Sequence, residues 1–301
     1  MFTMKKIAFI FKTFQKSNFY GGGEKVFYCL INKFIEKNYY IDIYCSNSDV
    51  SEHPGINKIT VIKSDYNYRK PESVENFFNA IKNIVQKQQY DYIISDNITP
   101  VIDISIIQFH SLGFNPHQLK GIVPSFILKL LKQKRIKYQK KWFKNKPRFV
   151  FTVSNILKKD ICKNLNIPEK IVKTIYPGVD IPDNISTKQQ NTIFTFGLSA
   201  TGFERKGGYL FLRALWQLKK QGIKTKAKII YPKHNKNLAI KLLIHFLKLN
   251  DIIDFLPLQK NMSDFYNSID CLVMPSLSEA FGLVALEIGR ASCRERVYAC
   301  V

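Results

Sequence analysis

Apolar runs of strand length alternate with amphipathic helical segments along most of this chain. In the first half, residues 5–12, 39–45, 58–63, 90–95, 104–110 and 149–154 are predicted strands, and residues 25–37, 74–88 and 155–165 are predicted helices. The helical segments carry apolar residues at spacings of three and four, whereas the strand segments are short and almost continuously apolar. Strands that alternate with helices in this way predict an α/β fold, with a parallel sheet covered by helices on both faces.

A second series of the same kind follows the Pro- and Gly-rich stretch 177–182, which is typical of an interdomain linker. Its predicted strands are residues 193–197, 226–231, 252–255 and 271–275, and its predicted helices are residues 208–221, 238–249 and 262–268. The series stops one helix later, so we expect the second doubly wound domain to be incomplete.

The last residues differ in character from the rest of the chain. Residues 288–297 resemble the translation of a sequencing adapter, and no apolar periodicity continues the helix that begins at Ala280. We therefore predict an N-terminal domain of residues 1–176, a truncated C-terminal domain of residues 177–287 and a non-native tail of residues 288–301.

Composition limits the class of protein. Six cysteines occur without a Cys-x-x-Cys pair or a cluster with histidine, which favours reduced thiols in a cytoplasmic protein. The chain contains no apolar run of about 18 residues and no N-terminal cleavage site, so neither export nor a membrane span is expected. The formal net charge of +23 predicts an anionic partner, which could be a nucleic acid, a phospholipid surface or a phosphorylated substrate.

Positive charge is concentrated between Lys129 and Arg148. Residues 126–146 combine this charge with aliphatic and aromatic residues, a pattern typical of a basic amphipathic helix. Such a segment could lie on an anionic bilayer, or it could be an ordinary helix with its lysines in water. Membrane docking would suit an enzyme whose acceptor is lipid-linked.

Two turns before helices carry the residues of a phosphate-binding site. Gly21-Gly22-Gly23-Glu24 lies between the first strand and the first helix, where backbone amides point at an anion, although a plain loop would look similar. Arg205 and Lys206 occupy the equivalent turn of the second series, followed by two glycines. Two cations there could neutralise a diphosphate, and the alternative is a solvated basic loop.

Glu279 and Glu287 lie eight positions apart after the predicted strand 271–275. Glu279 is predicted at the strand-to-helix turn, and Glu287, two turns later at roughly 3.6 residues each, is predicted on the same helix face, so that both could accept hydrogen bonds from sugar hydroxyls. The alternative is a pair of acidic residues favoured by the helix dipole. His110 ends a strand at the sheet edge where ligands bind, and either a substrate-contacting or a purely structural histidine fits that position.

Taken together, these motifs resemble family 4 retaining glycosyltransferases of the GT-B fold, in which two Rossmann-like domains face a cleft. The motifs that carry the likeness are Gly21-Gly22-Gly23-Glu24, Val153-Ser154 with residues 176–180, Arg205-Lys206-Gly207 and residues 275–287. The resemblance covers residues 5–287, and lipopolysaccharide core glucosyltransferases look most similar.

The resemblance implies a role for each candidate residue. Glu279 would contact the hydroxyls of the donor sugar, and Glu287 would hold the ribose. Arg205 and Lys206 would bind the diphosphate and stabilise its negative charge as the glycosidic bond breaks. The remaining implied site residues are Gly22, Gly23 and Gly282 in donor binding, and His110 in contact with the donor sugar or the acceptor.

The implied activity is that of a hexosyltransferase. It would use a nucleotide-diphosphate sugar, by default a UDP-sugar, and transfer the hexose with retention to a cell-envelope glycan or a lipid-linked acceptor. No cofactor is expected, and the absence of an Asp-x-Asp motif agrees with chemistry that needs no metal ion. The expected location is the cytoplasm, with peripheral binding to the inner face of the cell membrane.

Two departures from the family pattern accompany this likeness. Leu198 follows the glycine of the predicted strand 193–197 where many members have arginine, and the C-terminal segment that returns to the first domain is absent, so we expect low activity from this chain. A sugar-nucleotide epimerase of the same fold is an alternative. A basic nucleic-acid-binding protein is a weaker one, because no segment resembles a known nucleic-acid-binding module.

Overall fold

The computed structural model describes residues 4–16, 22–64, 71–97, 102–108, 137, 140–141, 147–179, 191–232, 234–259, 261–290 and 297–298. The chain divides into two compact units, Met1–Pro177 and Gly178–Val301. Each unit contains its own parallel sheet.

The sheet of the first unit has seven strands: β1 (Lys6–Phe14), β2 (Tyr40–Ser48), β3 (Lys58–Val61), β4 (Tyr92–Ser95), β5 (Ile104–Ile107), β6 (Phe149–Thr152) and β7 (Val172–Thr174). Its described helices are α1 (Gly22–Glu36), α2 (Pro71–Lys87) and α3 (Asn155–Leu165). The strand order is β3-β2-β1-β4-β5-β6-β7, with every neighbouring pair parallel. The order reverses between β1 and β4, as in a doubly wound fold.

Local sequence explains how these elements form. In β1, Ile7, Phe9 and Phe11 are buried and pack in one core cluster with Phe27 and Ile31 of α1. The spacing of Phe27 and Ile31 places both on one face of that helix.

Helix α3 shows both ends of a well-formed helix. It begins after Ser154, whose hydroxyl accepts a hydrogen bond from Leu157 N at 3.2 Å, and ends at Asn166 with a left-handed φ of 57°. Its bounds are those predicted from the sequence.

The second unit has the strands β8 (Thr195–Ser199), β9 (Lys226–Ile230), β10 (Ile253–Leu256), β11 (Cys271–Val273) and β12 (Val297–Tyr298). Its described helices are α4 (Gly208–Lys220), α5 (Leu238–Phe246), α6 (Met262–Asn267) and α7 (Leu283–Arg290). The strand order is β10-β9-β8-β11-β12, again parallel throughout, and it reverses between β8 and β11. The predicted α/β architecture is therefore confirmed in both units.

Helix bounds differ from prediction at two functional motifs. Helix α1 begins at Gly22, so Gly22 and Gly23 lie in its first turn instead of a preceding loop. Helix α7 begins at Leu283 and continues to Arg290, so the prediction that it would not extend past Glu287 is wrong. The reason is that Ile288, 1% exposed, packs one turn after Val284 against the same core cluster. The non-native origin of residues 288–301 stays a prediction.

Two short strands, β7 and β12, were not predicted from the sequence. Strand β7 has three residues and β12 has two, fewer than periodicity can detect. Most of the basic segment 126–146 lies outside the described residues; within it, Lys141 Nζ is 2.7 Å from Glu75 Oε1 on α2. None of the helices in the described part of the chain has the length and apolar character needed to cross a membrane.

Candidate functional site

The topology of the second sheet brings two distant loops together. Strands β8 and β11 are hydrogen-bonded neighbours, although three α-helices and two other strands lie between them in the sequence. In doubly wound sheets, ligands bind beyond the carboxyl ends of the strands at the point where strand order reverses. The loop after β8, residues 200–207, is called the cationic turn below, and the loop after β11, residues 274–282, is called the acidic loop.

Backbone contacts hold the cationic turn against the acidic loop. Leu277 N donates a hydrogen bond to Arg205 O at 2.9 Å, and Arg205 Nη1 donates to Ser278 O at 3.2 Å. Within the cationic turn, Lys206 N donates to Gly202 O at 2.9 Å, which gives that loop a helix-like shape. The relative position of the two loops is thus set by main-chain groups as well as by charge.

Three predicted site residues meet between these loops. Lys206 Nζ donates to Glu279 Oε2 at 2.7 Å, and Arg205 Nη1 lies 3.9 Å from the same oxygen. The Lys206 side chain is 14% exposed and that of Glu279 is 29% exposed, so the pair is only partly screened by water. Arg205 and Lys206 both lie beside the Glu279 carboxylate, so two cationic groups at the carboxyl edge of the sheet could bind an anionic group.

Glycine is required where the two loops touch. Gly207 has a φ of +74°, and a Cβ there would lie 1.9 Å from the carbonyl oxygen of Pro275. A Cβ on Gly208 would lie 2.5 Å from the buried Phe203 ring. These glycines therefore allow the cationic turn to approach the acidic loop closely and still enter α4.

A small open hollow, with a volume of about 10 Å³, lies beside the ion pair. Its polar lining comes from Ser199, Lys206 and Ser276, and its apolar lining includes Leu198, Met274 and Val284. Leu198 is 1% exposed, so the position that carries arginine in many family members contributes an apolar wall here.

Glu287 has a partner that sequence analysis missed. Tyr266, on α6, is 2% exposed, and its hydroxyl donates to Glu287 Oε2 at 2.7 Å. Burial raises the pKa of Tyr266, and the neighbouring Glu287 carboxylate raises it further, so the phenol stays protonated as a donor. The sequence offered only a general indication of this contact, since a buried tyrosine usually needs a hydrogen-bond partner for its hydroxyl.

The prediction that Glu279 and Glu287 lie on one helix face is wrong. Glu279 belongs to the acidic loop, and α7 begins only at Leu283. Gly282 intervenes with a φ of +83°, a left-handed conformation that redirects the chain into the helix. The two carboxylates accordingly have different neighbours, Lys206 for Glu279 and Tyr266 for Glu287.

The remaining candidates belong to the first unit. Gly22 and Gly23 open α1 after the carboxyl end of β1, next to the reversal between β1 and β4, and Gln108 Nε2 donates to Gly23 O at 3.2 Å. Gln15, directly after β1, has a buried side-chain oxygen that has no hydrogen-bond partner among the described residues. His110 lies outside the described residues, so its predicted contact stays a prediction.

Comparison with family models accounts for most of the chain. Residues 20–182, more than half of the chain, match the model described as Glycosyltransferase Family 4. Residues 184–293 match the model described as Glycosyl transferases group 1. No curated protein sequence matches this chain.

Solved structures of glycosyltransferases have the same architecture. WaaG, a glycosyltransferase involved in lipopolysaccharide biosynthesis, superposes with a TM-score of 0.72 at 16% identity, covering 97% of this chain and 80% of WaaG. HepE from Anabaena, in complex with UDP-glucose, gives 0.68 at 15% identity, covering 98% of this chain and 80% of HepE. A glycosyltransferase from Rickettsia africae gives 0.65 at 16% identity, covering 99% and 79% of the two chains. This chain therefore belongs to glycosyltransferase family 4 and has the GT-B fold, with two Rossmann-like domains.

Proposed function

We propose that this glycosyltransferase moves a hexose from a UDP-sugar to a cell-envelope glycan or a lipid-linked acceptor, with retention of configuration. The observation that carries the proposal is the meeting of Arg205 and Lys206 with Glu279 at the point where strand order reverses in the second sheet. The two cations there could bind a diphosphate, and the carboxylate could accept hydrogen bonds from sugar hydroxyls. Both cationic side chains lie within 4 Å of that carboxylate.

The proposed electrostatic role of the cations follows from where charge develops. As the glycosidic bond breaks, negative charge accumulates on the departing diphosphate, and Lys206 with Arg205 stabilises it. Lys206 Nζ donates a hydrogen bond to Glu279 Oε2 at 2.7 Å, and this contact positions the ammonium group. No enzyme nucleophile is required in this proposal.

The proposed nucleotide contacts use Glu287. Tyr266 occupies part of the hydrogen-bonding capacity of Glu287 Oε2 and fixes that carboxylate on α7. A carboxylate has several acceptor sites, so Glu287 can accept hydrogen bonds from the ribose hydroxyls as well as from Tyr266. The choice of uridine is supported by HepE, which was crystallised with UDP and with UDP-glucose.

The proposed acceptor and location have independent support. WaaG acts in lipopolysaccharide biosynthesis, which supports an acceptor in the cell envelope. The basic amphipathic segment 126–146 supports peripheral binding at the inner face of the cell membrane. The sequence has no Asp-x-Asp motif, which supports transfer without a metal ion.

Donor binding is the sharpest test, because it needs no acceptor. Isothermal titration calorimetry of the purified chain should show that UDP and UDP-glucose bind more tightly than uridine, and that ADP binds more weakly than UDP. If neither UDP nor UDP-glucose binds, the proposal is wrong.

Labelled donor then separates the reaction classes. With UDP-[14C]glucose and an envelope extract, we expect label in the glycan fraction and an anomeric configuration equal to that of the donor. Conversion of the donor without any acceptor would indicate the epimerase instead. A gel shift with random oligonucleotides in the absence of UDP binding would indicate the nucleic-acid-binding protein.

A further inference from the structure

Helix α5 presents three large apolar side chains to solvent along one line. Leu238, Leu242 and Phe246 are 68%, 60% and 82% exposed. Their spacing of four residues turns each by only about 40° from the one before, so they form a continuous stripe on one face. The opposite face holds the helix to the sheet through Ile240 and Ile244, both buried in the core of the second unit.

This stripe differs from ordinary scattered exposure of apolar residues. Single exposed leucines are normal on protein surfaces, whereas an aligned group on one convex element marks an interaction surface. None of the three residues belongs to the cationic turn, the acidic loop or the hollow beside them. The candidate site therefore does not explain the stripe.

The charge around the stripe indicates which kind of surface it fits. No aspartate or glutamate occurs between Tyr231 and Asn250, and lysines occupy positions 233, 236, 241 and 248. Lys241 lies on the exposed side of α5, and Lys248 is exposed just beyond its end. Lysine side chains can keep their ammonium groups at a polar interface while their stems lie along apolar surface.

We propose that α5 is a lipid-docking surface that inserts Leu238, Leu242 and Phe246 into the interfacial region of an anionic bilayer. An exposed convex helix with protruding leucine and phenylalanine side chains, bordered by lysines, has the character of an interfacial amphipathic helix. The net charge of +23 opposes close association of a second copy of this chain and favours an anionic lipid surface. Helix α5 belongs to the second unit, whereas the basic segment 126–146 belongs to the sequence of the first, and the proposal does not depend on donor binding.

The first test removes apolar contact without changing charge. The double substitution Leu242→Ser with Phe246→Ser should lower partitioning of the chain onto vesicles of phosphatidylglycerol and phosphatidylcholine by about tenfold or more. A matched control replaces Ile156 and Val61 with serine, which are 70% and 47% exposed and lie outside α5. The control should change partitioning by less than about twofold.

The second test removes charge. Replacing Lys241 and Lys248 with glutamine should lower partitioning onto phosphatidylglycerol vesicles by about fivefold or more, with little change on pure phosphatidylcholine. Thermal unfolding of each variant checks folding, and Ile240 and Ile244 remain to anchor the helix.

Three outcomes would overturn the proposal. In the first, the α5 serine variant and the control variant partition equally onto the vesicles. In the second, the wild-type chain binds phosphatidylcholine vesicles as well as it binds phosphatidylglycerol vesicles. Light scattering could also show a dimer that the Leu242→Ser/Phe246→Ser variant converts to a monomer, in which case a second copy of this chain covers the stripe.

Discussion

At the scale of single residues, the central feature of the candidate site is the ion pair between Lys206 and Glu279. Lys206 and Glu279 lie 2.7 Å apart, although 73 positions separate them in the chain. Each is partly buried, so their charges interact more strongly than those of a fully exposed pair. We expect the balance of charge in this group to control donor binding.

Replacing Lys206 with glutamine should weaken UDP-glucose binding by about 10- to 100-fold, because a charge-assisted contact with the diphosphate is lost. Calorimetry gives the dissociation constant directly. Lys219→Gln is the matched control, since Lys219 pairs with Asp251 at 2.7 Å on the same unit but away from the cationic turn. Equal losses in the two variants would contradict a phosphate-binding role for Lys206.

Replacing Tyr266 with phenylalanine should weaken UDP binding by about tenfold, because Glu287 loses the donor that orients its carboxylate. The ring remains in its core cluster, so the free energy of unfolding should change little by comparison. Binding of 2′,3′-dideoxyuridine diphosphate, which lacks the ribose hydroxyls, should be almost unchanged. A purely structural role for Tyr266 would weaken both ligands alike.

At the scale of elements, the contact between the cationic turn and the acidic loop depends on glycine. Gly207 and Gly222 have the same φ of +74°, but only Gly207 faces a neighbouring backbone, whereas a Cβ on Gly222 would meet nothing within 4 Å. Alanine at Gly222 would therefore cause backbone strain alone, whereas alanine at Gly207 would cause the same strain and a steric clash.

Gly207→Ala should therefore destabilise the protein by about 3 kcal/mol or more, against about 1 kcal/mol for Gly222→Ala. Urea unfolding measures both differences in free energy. Binding of UDP should also be lost in the Gly207 variant and kept in the Gly222 variant. Similar unfolding midpoints for the two variants would show that the cationic turn can move away from the acidic loop with no loss of stability.

The burial of Cys45 in the first sheet predicts a difference in reactivity between two cysteine thiols. Cys45, on β2, is buried, and this burial raises its pKa to about 11. At pH 8 only about one thiol in a thousand is then a thiolate, the reactive form. Cys29 on α1 is exposed.

Iodoacetamide at pH 8 should accordingly label Cys29 in the native protein and Cys45 only after denaturation. Peptide mass spectrometry distinguishes the two sites. Comparable labelling rates in the native state would mean that β2 opens readily to solvent.

At the scale of the whole molecule, the net charge of +23 should make anionic ligand binding depend on salt. Raising NaCl from about 50 to about 500 mM should weaken UDP binding by about fivefold or more, because both the local cations and the overall field are screened. Uridine carries no charge, and its weaker binding should hardly change. Calorimetry at several salt concentrations tests this, and parallel salt dependence of UDP and uridine would contradict it.

The sequence by itself determined the local elements and the class of fold. Apolar periodicity predicted α3 at Asn155–Leu165, and the alternation of elements predicted two parallel sheets. Arg205 and Lys206 were identified from their charge and the adjacent glycines, and Glu279 from its spacing to Glu287 and the family resemblance; all of these are local properties of the chain. Such features are readable because they depend on neighbours a few positions away.

Only the tertiary structure decided which distant groups meet. The pairing of β8 with β11 brings Lys206 to Glu279, and the packing of α6 against α7 gives Glu287 its partner Tyr266. The left-handed turn at Gly282 moved the start of α7 to Leu283, which removed the expected common helix face. These outcomes depend on strand order and on close packing between segments far apart in the chain, and local periodicity carries no information about either.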